Sequence, residues 1–278
     1  MNSLRKAAMP GTVVLALLAP PVFSDFSAVA AAQVPPNSTP AAPPSGPPAA
    51  GFPPGGPGGG MRMGQLPPDA KAAAAARTIA PYFVEATQGS KAPDADGFLQ
   101  RWLLLEPIDK PNRSNTVFTD TYVRKTLMTQ YFPDQFTVVP HNGDKVRVGE
   151  QELAWHALDT TSFDAKLFNF AYGLNKQTYG VIFWAVTVVN SPREMENVHL
   201  AVGSNSASMW WLNGEDVADL FNDRRMVMDD VVSKPLTLKK GKTVLRGAVI
   251  NGPGLSDFCV RFLDENGKPV KGITTSLE

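Results

Sequence analysis

The chain has 278 residues, with 26 Lys+Arg against 26 Asp+Glu and a formal net charge of +0. That balance excludes a global field able to draw nucleic acid or an anionic membrane. A lone cysteine, Cys259, excludes an internal disulfide framework.

The N-terminus has the pattern of an export signal. Arg5 and Lys6 form a positive n-region, and an apolar h-region follows over residues 12–23. Small residues then lead to Ala30-Ala31-Ala32 before Gln33, an Ala-x-Ala cleavage pattern. The apolar run is too short to span a bilayer and is broken by Pro20-Pro21, so no transmembrane segment is expected. No cysteine stands near the cleavage site, which argues against a lipoprotein anchor. Removal of residues 1–32 predicts a periplasmic or extracellular mature protein.

Residues 33–68 are mostly Pro, Gly, Ala and Ser, with Pro35-Pro36, Pro43-Pro44 and Gly58-Gly59-Gly60. Such a segment has too little apolar surface to offset chain entropy and is expected to be a disordered tether. The folded domain is expected over 69–278. Asp69 is placed to cap a short alanine-rich helix over 69–78, a helical extension that packs on the main domain.

Residues 98–105 are dense in large apolar groups and read as a first strand buried on both faces, with Arg101 and Glu106 at polar positions. Tyr122, Val123, Leu127 and Tyr131 recur at helical spacing, which predicts a helix over 120–131 capped by Asp120 and stopped by Pro133. Beyond Pro133 the chain is strand and turn. Asn142-Gly143-Asp144 signals a hairpin, Gly149-Glu150 a turn, and Ser191-Pro192-Arg193-Glu194 another. Residues 179–189 are apolar on both faces, as in a central strand covered by a layer on each side. Residues 200–217 read as two antiparallel strands joined at Gly203-Ser204-Asn205-Ser206 and closed by Asn213-Gly214. Residues 236–250 read as a further hairpin turning at Lys239-Lys240-Gly241-Lys242. Phe258, Val260 and Phe262 mark the last strand, with Cys259 as a small buried apolar residue within it. Many short strands at this spacing predict an all-β sandwich or jelly roll, not a βαβ fold.

No catalytic constellation stands out. A Gly-x-Ser-x-Gly elbow is absent, and Ser204, Ser206 and Ser208 have no following helix to orient a nucleophile. A triad assembled from distant segments with His156 stays open. His141, His156 and His199 lack metal-ligand spacing. Asp219/Asp223 and Asp229-Asp230 are acidic groupings with too few carboxylates for an oxygen-rich calcium loop. Arg224-Arg225 beside Asp223 is a local ion pair or a polar ligand-binding edge. Lys239, Lys240 and Lys242 are a hairpin tip without interleaved aromatics, so no nucleic-acid partner is expected. No cofactor, metal or catalytic residue is assigned.

The Trp210-Trp211 strand with its Leu212-Asn213-Gly214 corner, the Lys-Lys-Gly hairpin, Asn251-Gly252-Pro253-Gly254 and the Phe258 to Phe262 strand resemble the galactose-binding-like β-sandwich modules of secreted bacterial proteins. Some relatives of that family carry the label acetylxylan esterase. The family usually has paired acidic residues where this chain has Gly203-Ser204-Asn205-Ser206, so the resemblance implies no acidic site at this turn. Adjacent strand residues point to opposite faces, so Trp210 and Trp211 cannot share one. Either both are core, or one is exposed and stacks on a sugar ring. Ligand-binding candidates are therefore Trp210 and Trp211, with Asn205, Asn251 and Arg225 as polar partners. The expected function is a non-catalytic exported module that recognises a polysaccharide or another envelope glycan. The alternatives are an acetylxylan esterase-type hydrolase and an envelope protein-interaction module with a protein partner.

Overall fold

A computed structural model describes residues 77–112 and 114–278. The expected signal segment and tether, and all but the last two residues of the helix expected over 69–78, lie outside the described residues. Arg77 and Thr78 are not helical.

Among the described residues, fourteen strands and two α-helices follow in chain order, with one 3-10 turn at Asn115–Val117. The strands are β1 Phe83–Glu85, β2 Arg101–Leu105, β3 Ile108–Asp109, β4 Lys145–Val148, β5 Gln151–Thr160, β6 Val181–Ser191, β7 Met195–Ser204, β8 Ala207–Leu212, β9 Glu215–Leu220, β10 Val231–Val232, β11 Leu236–Leu238, β12 Gly241–Asn251, β13 Phe258–Leu263 and β14 Thr274–Ser276. Helix α1 spans Asp120–Leu127 and helix α2 spans Leu167–Gly173. All strand pairs are antiparallel. One sheet runs β1-β5-β2-β6-β12-β8-β9, with β3 and β14 added to β6 and β4 to β5. The other runs β10-β7-β11, with β13 also on β7.

The large sheet is covered on both faces, which explains its unbroken apolar runs. Trp102, Leu104, Phe183, Val249 and Trp210 point toward the small sheet and meet Leu200, Val202, Phe258 and Val260. Leu103, Leu105, Trp184, Trp211 and Ile250 point the other way and meet Phe118, Val123, Leu127 and Phe132 from the helical layer. The result is an all-β sandwich with a third, helical layer on the large sheet. Alternation along β2, β6 and β8 divides each strand between the two cores.

Two expected hairpins are corrected. β7 and β8 lie in different sheets, so the corner at Asn205 carries the chain from one layer to the other. Hydrogen bonds to that corner hold the crossing: Asn205 N–H donates to Asp257 O at 2.9 Å and Ser206 N–H to Arg224 O at 3.0 Å. The Lys239-Lys240 turn likewise joins β11 in the small sheet to β12 in the large one. Period-2 alternation looks the same whether a chain folds back in its own sheet or crosses to the facing one. The Asn213-Gly214 hairpin does link paired strands, with φ of 51° and 88° at its two corner residues, as a tight two-residue turn requires.

Asn142-Gly143 is a turn but not a hairpin tip. It leads into β4 and docks on β5, where Asn142 Oδ1 accepts from Ala157 N–H at 2.9 Å; the two-residue link at Gly149-Glu150 joins β4 to β5. The helix expected over 120–131 is shorter. Thr119, not Asp120, is its N-cap, accepting from Tyr122 N–H. Past Leu127 the Gln135 side chain takes the backbone groups a further turn would use, accepting from Tyr131 N–H at 2.7 Å and donating to Thr129 O at 3.0 Å.

Candidate functional site

An exposed indole is not available. Trp210 is 0% and Trp211 3% exposed. Trp210 packs edge-on against Trp102 and Phe258 between the sheets, with ring centroids at 6.0 and 5.1 Å. Trp211 stacks on Trp184 at 5.6 Å under the helical layer. A third layer covers the face that a two-layer sandwich would leave open, so both rings are core.

The polar candidates do not converge on a ligand. Asn205 Oδ1 accepts from Met226 N–H at 2.7 Å. Asn251 is fully buried, its Oδ1 accepting from Ser206 Oγ at 3.0 Å and its Nδ2 donating to Thr178 O at 3.1 Å. Both amides brace loop crossings. Arg225 is exposed, while its neighbour Arg224 pairs with Asp230 at 2.7 Å and not with Asp223. The hydroxyls of Ser204, Ser206 and Ser208 engage Asn205 O, Asn251 Oδ1 and Trp210 Nε1. His199 bonds Ser233 O at 2.8 Å, and His141 contacts Asp144 at 3.3 Å. Among the described residues no group of three or more His, Cys, Asp or Glu is placed to hold a metal, and no helix is long and apolar enough to cross a membrane.

The acidic residues on β9 serve packing. Arg124 of α1 bridges Asp120, Asp216 and Asp219, tying the helical layer to the sheet edge. Burial, reinforced by the charge of Asp216, pushes Asp219 up to about 6 against the pull of Arg124. A carboxyl raised in the folded state stabilises fully below its unfolded value of 3.8, and that contribution is lost as pH rises through about 6. Asp219→Asn is therefore expected to flatten the fall in stability between pH 4 and 7. Relative to wild type it should gain on the order of 2 kcal/mol at pH 8. Urea melts at both pH values check this, and an unchanged pH slope would refute it.

The open aromatic surface lies elsewhere, at the start of β6. Ile108 and Asp109 of β3 pair with Ile182 and Val181. Lys110 N–H donates to Gly180 O at 2.7 Å, and Gly180, at φ +62°, turns the chain against Pro111 and Asn112. A Cβ at Gly180 would stand 3.1 Å from the Pro111 backbone, so the close approach suits glycine. These contacts frame a 440 Å³ recess lined by Asp109, Pro111, Asn112, Gln177, Tyr179 and Gly180.

Tyr179 is 45% exposed and leans on Phe168 at 5.6 Å. Phe168 in turn stacks on Tyr172, over whose ring the Arg77 guanidinium sits at 4.6 Å. Tyr172 is 42% exposed as well, but it is Tyr179 that lines the recess. Asn112 is held in place, donating to Lys110 O and accepting from Tyr122 Oη, both at 2.6 Å. Gln177 Nε2 donates to Tyr179 O at 3.1 Å. Its Oε1 and the Asp109 carboxylate take no hydrogen bond from the described residues.

Lys176, the residue before Gln177, belongs to a charged cluster. Lys176 Nζ sits 2.8 Å from Glu106 Oε2, and His156 Nε2 lies 3.4 Å from Glu106 Oε1. Burial works to raise Glu106, but Lys176, the Ala154 N–H and His156 outweigh it and hold the carboxyl below the usual range. His156 also packs edge-on against Phe170 at 5.5 Å. Its partners make it a structural member of this cluster. Sequence reasoning passed over this surface because α2 is one short helix in strand-rich sequence. The Phe168/Tyr172 pair, four residues apart, was the available signal.

No family model and no curated protein matches the chain. Among solved structures it is similar to the PA14 sugar-binding domain from an RTX adhesin, at 11% identity and a TM-score of 0.37 over 62% of this chain and 94% of that one. It is also similar to the PA14 domain of the MpAFP antifreeze protein, at 11% identity and 0.36 over 69% and 95%. A third likeness is to a beta-glucosidase from Kluyveromyces marxianus, at 14% identity and 0.31, covering 65% of this chain but 17% of that enzyme. Likeness this distant carries nothing about the ligand of this chain.

Proposed function

We propose that the protein is an exported, non-catalytic sandwich module of the galactose-binding-like type that recognises a polysaccharide or another envelope glycan. The carrying observation is the half-exposed Tyr179 ring beside a recess lined by Asp109, Asn112 and Gln177. A flat aromatic face suits the C–H side of a pyranose, and carboxylate and amide groups suit its hydroxyls. Tyr179 rests on Phe168, and Asn112 is pinned by Tyr122, so little side-chain freedom is lost on binding. Export is supported by the basic, apolar and Ala-x-Ala order of residues 1–32.

The test is a titration against soluble xylans and galactans. Tyr179→Ala is expected to weaken binding about 10-fold, the loss usual for truncating an aromatic anchor. Its melting temperature should stay near that of wild type, because the ring is half in solvent. Equal affinity in the variant would refute the site. Release of acetate from acetylated xylan would replace this reading with the hydrolase.

A further inference from the structure

A second preformed recess lies at the opposite end of β6. It is a 710 Å³ groove whose walls are the 85–90 segment, the His141-Asn142 turn, and Asn190, Lys242 and β14. We propose, building on the glycan reading of the Tyr179 recess, that this groove is a second glycan site and that one chain holds two polysaccharide segments at once.

The groove is built before any ligand arrives. Buried Arg101 pins the first wall, donating to Gly89 O at 2.7 Å and to Thr87 Oγ1 at 3.0 Å. Backbone bonds between Lys91 and Thr275, at 2.8 and 2.7 Å, clamp that wall to β14. Asn190 Nδ2 donates to Ser276 Oγ at 3.0 Å across the floor. Binding therefore need not order these walls.

The lining chemistry selects the ligand class. The exposed side chains of Gln88, Ser90 and Lys242 offer amide, hydroxyl and ammonium groups, and His141 adds a ring nitrogen. Glu85 and Glu278 share the lining with Lys242, so the groove does not favour a strong polyanion. A neutral polyhydroxylated chain matches this mixture of donors and acceptors. No Phe, Tyr or Trp lines the groove, so it holds sugars chiefly by hydrogen bonds and more weakly than the Tyr179 recess.

Position gives the consequence. Gly180 lines one recess and Asn190 the other, ten residues apart along a strand. At about 3.3 Å per residue the two sites stand on the order of 30 Å apart. A short oligosaccharide cannot fill both. A polymer solution is cross-linked, and avidity offsets the weaker site.

Separate calorimetric titrations of the full chain with xylotriose and galactotriose, each too short to reach from one site to the other, test this. Wild type is expected to take two ligands per chain with one of them. Gln88→Ala/Lys242→Ala, and independently Ser90→Trp, which fills the groove, are expected to take one and to lose polymer cross-linking by turbidity. Tyr179→Ala keeps the weaker site alone. One ligand per wild-type chain, lost in Tyr179→Ala and untouched by the groove variants, overturns the second site while leaving the first standing. No binding of either sugar by wild type removes the glycan reading and the second site together.

Discussion

Arg101→Ala is expected to destabilise the domain by about 3–5 kcal/mol, the usual cost of breaking a buried ion pair from one side. Arg101 is 1% and Asp159 5% exposed. Their contact is bidentate, Nε to Oδ1 and Nη2 to Oδ2, both at 2.9 Å. Alanine leaves the carboxylate buried, with only Lys91 nearby at 3.6 Å. It also frees the 87–89 segment, whose Gly89 carbonyl and Thr87 hydroxyl lose their donor. Replacing both partners, as in Arg101→Met/Asp159→Leu, should cost clearly less than Arg101→Ala, since no charge is stranded. Denaturant melts of the three proteins decide it. A single-variant loss under about 1 kcal/mol would show that water reaches the carboxylate.

Gly247→Ala is expected to cost about 1–3 kcal/mol in spite of removing a glycine from the middle of a strand. Propensity alone favours the alanine. Gly247 lies opposite Trp210 in the β12–β8 ladder, and a Cβ there would fall within contact distance of three indole carbons. The indole cannot retreat, because Trp102 and Phe258 hold its other sides. Trp210→Leu alone should lose about 3 kcal/mol or more through the cavity it opens. Combined, the two changes should fall short of additivity by ~1 kcal/mol, since the smaller side chain vacates the space that the methyl needs. Strict additivity would mean that the glycine answers to backbone conformation and not to the ring.

The sandwich class was legible because burial writes itself into residue order. Within the run over 179–189, residues 181–189 are apolar at every position but Thr187, and β6 is covered on both faces. The opposed directions of Trp210 and Trp211 followed from strand geometry and hold, one ring in each core. Asn213-Gly214 announced a two-residue turn because few other residues reach positive φ there. Of the two readings left open for the indoles, both are core, and for Trp211 that rests on one fact, that α1 and its flanking loops cover the large sheet. Helical spacing showed the helix but not the face it packs on.

The candidate site was less legible still. Gln177 and Tyr179 come from one segment, Asp109 and Asn112 from another far from it in the chain, and none stands in a motif. Pattern along the chain determined the layer class, the central strand and the tight hairpin, since each depends on neighbours within a few residues. Only the tertiary structure decided which strands share a sheet, why Arg101 is buried and which aromatic ring meets solvent. Those outcomes depend on contacts between residues far apart in the chain, about which local periodicity holds no information.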